Sequence, residues 1–195
     1  AFNLGTGTAL EEKNNTDNTK YVAAKVGGAY YYNIAEAINA AEDGETIKVL
    51  QSHDCNVGAT VATGKTLTLD LNGNTVEGTD TITGSFGLIT NKGNLTVKNG
   101  TITLKAENNR GWNNYSSVIS NNPGGNLVVE NVTIEHLGGT DMAYGIDNLT
   151  NGKGTYARLS VKDSRNEWIL PNTGYQKQTI SLSVNSQLHK NIKLT

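Results

Sequence analysis

The chain has 195 residues, with 16 Lys+Arg against 18 Asp+Glu, and is 36 % hydrophobic but only 17 % charged. A net charge of −2 argues against a nucleic-acid or anionic-membrane surface, and apolar runs such as Leu127-Val128-Val129 are far too short for membrane insertion. The bias is polar but uncharged: 26 Asn, 24 Thr and 22 Gly with only two Pro exclude a helical bundle and predict an all-β chain of short strands and tight corners.

In chain order, residues 1–20 read as an irregular polar lead-in, beginning at Ala1 as a processed secreted protein or an excised fragment would. A short helix is expected near 34–43. Asn33 can cap it with Glu36 three residues on, Ile34, Ala37, Ile38 and Ala41 share one face, and Gly44 ends the run. Glu45 to Leu50 follows as a strand. Cys55 stands alone, so no intrachain disulfide or cysteine-based metal site can form.

Internal repeats then take over. Leu69-Asp70-Leu71-Asn72-Gly73, Leu95-Thr96-Val97-Lys98-Asn99, Leu127-Val128-Val129-Glu130-Asn131 and Leu159-Ser160-Val161-Lys162-Asp163 align without gaps, their leading Leu recurring at intervals of 26, 32 and 32. The first three run on to Thr75-Val76, Thr101-Ile102 and Thr133-Ile134. A second set, Ile89-Thr90-Asn91, Ile119-Ser120-Asn121 and Ile146-Asp147-Asn148, lies between them. Two registers of similar period predict a coil whose strands pair in parallel with their equivalents one repeat away. Alternation puts Leu69/Leu71, Leu95/Val97, Leu127/Val129 and Leu159/Val161 inside, and Asp70, Thr96, Val128 and Ser160 outside. Asn91, Asn121 and Asn148 fall where each strand must bend, so they are expected to form a buried structural Asn stack in left-handed conformations. The helix before the first repeat would plug the open end of the core.

The stretch from Tyr31 to Ala41, Asp43-Gly44-Glu45-Thr46-Ile47 and Gly64-Lys65-Thr66-Leu67-Thr68-Leu69-Asp70-Leu71-Asn72-Gly73 resembles the start of a right-handed parallel β-helix (solenoid) with a short N-terminal capping helix. It is similar to the pectate-lyase-like repeat regions of large bacterial surface and secreted proteins, across residues 21–163. Residues 164–195 depart from the pattern and are expected to form C-terminal strands, a last turn or an end cap.

The resemblance implies that a Ca²⁺-dependent lyase would carry stacked outward carboxylates. Asp70, Thr96, Val128 and Ser160 are not acidic as a set, and Lys98, Glu130 and Lys162 read as a surface charge ladder. Glycoside hydrolysis needs paired carboxylates, for which Glu135, Asp141 and Asp147 are the candidates; the plainer reading of Asp147 is a bend residue bonded to its own backbone. His53, His136 and His189 have no metal-like spacing and read as solvated or partly packed. Cys55 lacks a placed base, and the Thr-x-Thr pairs 66/68, 81/83 and 101/103, which resemble ice-binding arrays, share no register position.

One corner remains. The connectors Val76–Ile89, Ile102–Ile119 and Ile134–Ile146 leave the same side of the coil, and the middle one carries Arg110-Gly111-Trp112-Asn113-Asn114-Tyr115. Arg110, Trp112, Asn114 and Tyr115, with Asp141 and Tyr144 from the next connector, have the composition of a sugar-stacking or protein-contact patch. The sequence therefore points to a non-catalytic extracellular or cell-surface module, adhesive or structural, without cofactor or metal. Its expected partner is a polysaccharide or another protein chain, a trimer being one such assembly. The alternatives are a polysaccharide lyase or glycoside hydrolase, or its remnant, and a virion capsid or tail decoration protein.

Overall fold

A computed structural model describes residues 21–82, 84–106, 114–138, 142–149 and 157–162, together with the backbone of Arg165–Trp168. Its elements are β1 (Ala24–Val26), β2 (Ala29–Tyr31), α1 (Ile34–Ala40), β3 (Thr46–Val49), β4 (His53–Asp54), β5 (Ala59–Val61), β6 (Thr66–Asp70), β7 (Thr75–Asp80), β8 (Phe86–Asn91), β9 (Asn94–Ala106), β10 (Ser116–Asn121), β11 (Asn126–Gly138), β12 (Ala143–Asn148), β13 (Arg158–Lys162) and β14 (Arg165–Trp168). The described residues are all-β apart from one helix.

The strands form two sheets. The larger runs β13-β11-β9-β6-β3-β1-β2, with β7 joining β4 to β9 and β14 beside β11; the smaller runs β12-β10-β8-β5. All pairs are parallel except β1 with β2 and β1 with β3. Parallel pairing extends past residue 163, because Arg165 lies opposite Thr133.

Alternation fixes which residues enter the core. Leu67, Leu69, Leu95, Val97, Leu127 and Val129 are buried, joined by Val76, Ile102 and Ile134 and by Leu88, Ile89, Val118 and Ile119 of the small sheet. Leu159 and Val161 pack against this core but are only half-buried. Burying a Leu or Ile stabilises by about 1.5–3 kcal/mol, so one repeat cannot offset its own ordering entropy while several together can.

The repeat alignment needs one correction. Leu69 pairs with Val97, and it is Leu67 that pairs with Leu95, so the first interval is 28 residues (95 − 67). Four residues, Leu71-Asn72-Gly73-Asn74, separate Asp70 from Thr75, whereas only Asn99-Gly100 separates Lys98 from Thr101. The extra pair is accommodated as a turn in which Asn74 N–H donates to Leu71 O. A shift of two preserves side-chain parity, so the inward residues are unchanged. Asp70, however, joins the charge column: Lys48, Asp70, Lys98, Glu130 and Lys162 lie in register.

The Asn stack is present. Asn91 Nδ2 donates to Asn121 Oδ1 at 2.8 Å, and Asn121 Nδ2 to Asn148 Oδ1 at 2.7 Å and to Arg158 O at 2.8 Å. Its backbone differs from expectation: the non-glycine residues with positive φ are Asn72, Asn99, Asn131 and Met142. The left-handed asparagines thus mark a second corner, where β9 and β11 bend, and there Asn131 Nδ2 donates to Asn99 Oδ1 at 3.3 Å. Gly125 leaves room for the buried stack, since a Cβ there would sit 2.6 Å from Asn121 Oδ1.

Helix α1 begins at its expected cap. Asn33 Oδ1 accepts from Glu36 N at 2.9 Å, and the Glu36 carboxylate accepts from Tyr32 N at 3.1 Å. It is shorter than 34–43, because Ala41 already turns to ψ 138 after its N–H bonds to Ala37 O. Gly44, at φ 84, serves a later turn and donates its N–H to Thr66 O. Beside the helix, the large sheet is extended at its edge by β1, antiparallel to β3, and by β2, antiparallel to β1.

Candidate functional site: the connector corner and the outer columns

Strands β7, β9 and β11 run in register, as do β8, β10 and β12. The connectors between them therefore leave one corner, as the sequence suggested. Arg110, Trp112 and Asp141 lie outside the described residues. Asn114 and Tyr115 lead into β10; Tyr115 N donates to Ser85 Oγ at 3.3 Å, and Tyr115 O accepts from Phe86 N at 2.8 Å. Met142 in the next connector is strained at φ 67 and accepts from Ser116 N at 2.9 Å. Tyr144 lies on β12, opposite Ser117, which in turn faces Gly87.

His136 is a correction. It is fully buried on β11, opposite Leu104. Alternation from Ile134 points it inward, and a polar chain receives it there. Ser116 Oγ donates to Asp80 Oδ2 at 2.6 Å, so its lone pair accepts from His136 Nε2, 2.9 Å away. A nucleophilic serine would instead give its proton to the histidine, so this buried Asp80–Ser116–His136 chain ties β7, β10 and β11 together. His53 is likewise fixed: Ile34 N–H donates to Nε2 at 3.2 Å, and Nδ1 lies 3.0 Å from Gln51 O. Burial holds its pKa below the usual 6.5. Burial also raises the Cys55 thiol, which makes it a poor nucleophile.

The outer face carries ordered columns. The charge ladder pairs Lys98 Nζ with Asp70 at 3.7 Å and Lys162 Nζ with Glu130 at 3.9 Å. Thr75, Thr101 and Thr133 share one register position, as do Thr46, Thr68 and Thr96. Threonines therefore do align, but as single columns beside charged ones. Asp54, Glu77, Thr103 and Glu135 form another column, and the backbone of Glu167 lies opposite Glu135. Continuing the comparison one residue beyond Val76, Ile102 and Ile134 would have found it. Lys105 pairs with Glu77, and Thr103 Oγ1 donates to Glu135 Oε2 at 3.4 Å. No group of three or more His, Cys, Asp or Glu among the described residues could hold a metal.

Glu135 and Asp147 belong to different sheets, so they do not share a column. Asp147 ends the column Thr60, Thr90, Ser120, Asp147 on the small sheet. It is not a bend residue bonded to its own backbone: among the described residues, no hydrogen bond or ion pair reaches its carboxylate. Burial pushes its pKa up to about 6. The Tyr144 phenol is raised by burial and, secondarily, by the Asp147 charge.

No described helix is long and apolar enough to cross a membrane. In comparisons with protein-family models, curated proteins and solved structures, nothing matches the chain.

Proposed function

We propose that this chain is part of a right-handed parallel β-helix (solenoid), similar to the pectate-lyase-like repeat regions of bacterial surface and secreted proteins. It serves there as a non-catalytic structural or adhesive module, outside the cell or on its surface. The observation that carries this reading is the pair of in-register parallel ladders closing on one core, with a buried amide stack along one corner. A fold that repeats its side chains along one axis makes a stiff spacer whose connectors are free to vary. The connectors around Asn114, Tyr115 and Tyr144 are the contact surface for a polysaccharide or a protein chain, where an aromatic ring covers the apolar side of a sugar and amides bond its hydroxyls.

The non-catalytic part is supported by how the columns neutralise themselves. Glu77 is paired with Lys105, Glu135 accepts a threonine hydroxyl, and Asp70 and Glu130 sit beside lysines. The acidic column does favour a second reading, a polysaccharide-cleaving enzyme, since stacking brings carboxylates near one another. Thr103 interrupts that column at its centre. Incubation with pectins, alginates and neutral glycans, with and without Ca²⁺, should release no unsaturated or reducing ends. Turnover that survives purification and is lost on substituting Glu135, Asp141 or Asp147 would overturn the proposal in favour of the enzyme.

A further inference from the structure

The small sheet carries two polar groups whose placement costs stability and returns no contact. Ser117 is fully buried, and its Oγ has no hydrogen-bond partner. Asp147 is a half-buried carboxylate that no described hydrogen bond or ion pair reaches, and burial raises its pKa. An unpaired buried hydroxyl and an uncompensated carboxylate both lower stability, and the same columns show cheaper solutions, with Gly87 beside Ser117 and Ser120 beside Asp147.

The two groups lie together. A Cβ on Gly87 would sit 3.1 Å from Ser120 Cβ, 3.3 Å from Thr90 Oγ1 and 3.5 Å from Ser117 Oγ. The register advances this arrangement by one strand, so Ser117 stands to Ser120, Asp147 and Tyr144 as Gly87 stands to Thr90, Ser120 and Ser117. One serine hydroxyl, one carboxylate and one phenol thus share a single patch of the outer face. We infer that Ser117, Tyr144 and Asp147 form a binding site for a neutral polyhydroxylated ligand, a saccharide. This deepens the glycan contact proposed above and rests on it.

The chemistry selects that class. No Lys or Arg occurs in β8, β10 or β12, so nothing there offsets an anion's charge against Asp147. A metal ion would need several oxygen ligands of full or partial charge, and among the described residues of β8, β10 and β12 Asp147 is the one carboxylate. Sugar hydroxyls donate to Asp147 and exchange bonds with Ser117 Oγ, while the Tyr144 ring offers a face to ring C–H groups. Ser117 is buried with an unpaired hydroxyl, and Tyr144 is its register partner on β12. Binding pairs both costly groups at once, which is the return that the free protein lacks.

The test uses the whole chain, isotope-labelled, titrated at neutral pH with gluco-, manno-, galacto- and xylo-oligosaccharides at millimolar concentration. At least one probe should shift the amides of Ser117, Tyr144 and Asp147 and the Tyr144 ring signals. Ser117→Ala and Asp147→Asn should fold, melt no lower than the parent and lose about tenfold or more in affinity. Retained affinity in both variants, or no response at these three residues to any probe, overturns the site. Shifts confined to residues 108–115 overturn it too while leaving the adhesive reading intact. A response to Ca²⁺ alone also refutes it. Release of reducing ends that Asp147→Asn abolishes would keep the site and refute the non-catalytic reading.

Discussion

Replacing Asn121 by alanine tests whether the amide stack holds the two sheets in register. The side chain is fully buried and makes three hydrogen bonds, accepting from Asn91 and donating to Asn148 and to the Arg158 carbonyl. A neutral hydrogen bond contributes about 1 kcal/mol net, and orphaning a buried partner costs about 1–3 kcal/mol more. Asn91 Nδ2 keeps Asn126 O at 3.2 Å, and the exposed Asn148 can turn to water. The Arg158 carbonyl is the group left short, so the sum is about 4–6 kcal/mol. For a domain of this size that lowers the melting temperature by roughly 15 °C. Asn121→Asp should be at least as damaging near neutral pH, because a carboxylate cannot donate to Asn148 Oδ1 or Arg158 O. The control is Asn131→Gly at the exposed ladder, where glycine tolerates the φ of 53 and only one 3.3 Å bond is lost; it should cost under about 1 kcal/mol. Equilibrium urea unfolding of the three variants gives these values. If Asn121→Ala lies within about 1 kcal/mol of the parent, the stack is not a structural device.

Val97→Asp should prevent folding, because an unpaired carboxylate in the core costs several kcal/mol, whereas Thr96→Asp on the outer face should be nearly silent; equal thermal stability would refute the strand register. His53 has a folded pKa below 6.5, so the unfolded chain binds its proton more readily. The stability it preserves is complete above 6.5, falls as pH drops through that value towards the folded pKa, then levels off; a melting series of His53→Asn should lack this slope. Asp147 has the opposite sign, since its pKa is raised from 3.8 to about 6. The folded state holds the proton more tightly, so stability falls as pH rises from 3.8 to 6 and is flat beyond. Asp147→Asn should remove that slope and raise stability at neutral pH by about 1–2 kcal/mol, the full shift being reduced because the carboxyl is partly exposed. An unchanged slope would mean that the carboxyl is solvated.

The core was legible because inward Leu, Val and Ile recur with period two inside strands and at regular intervals between them. The two-residue insertion at Leu71–Asn74 was not legible, since shifting by two keeps every inward residue inward; only a hydrogen-bond ladder separates the two alignments. Asn91, Asn121 and Asn148 are recognisable as a stack by their common offset, but among the described residues that trio is not left-handed. Asn72, Asn99 and Asn131 mark those bends, and their spacing is disguised by the same insertion. The burial of His136 escaped detection because histidine is read as polar. Counting by two from Ile134 points it inward, while the hydroxyl that receives it comes from Ser116, twenty residues earlier in the chain. Of the corner patch, Asn114, Tyr115 and Tyr144 can be placed, while the burial of Ser117 was not legible because a serine carries no apolar signal.

Stacked repeats offer polar side chains an economical solution, because each residue meets its equivalent on the next strand. Amides suit this arrangement since each can both donate and accept, which is why asparagines line two corners. Charges suit it when signs alternate, as from Lys48 through Asp70, Lys98 and Glu130 to Lys162. Hydroxyls suit it when half-buried at the outer face, as at Thr75, Thr101 and Thr133. Asp147 follows none of these rules: it succeeds Thr60, Thr90 and Ser120, and among the described residues no hydrogen bond or ion pair reaches its carboxylate. Ser117 departs from the same economy one column away, buried between a glycine and a tyrosine. Two such departures on adjacent strands, in a scaffold that satisfies comparable groups elsewhere, are better explained by a partner that completes them than by packing. Such a partner acts on the outer face of the small sheet and leaves the core that supports it untouched.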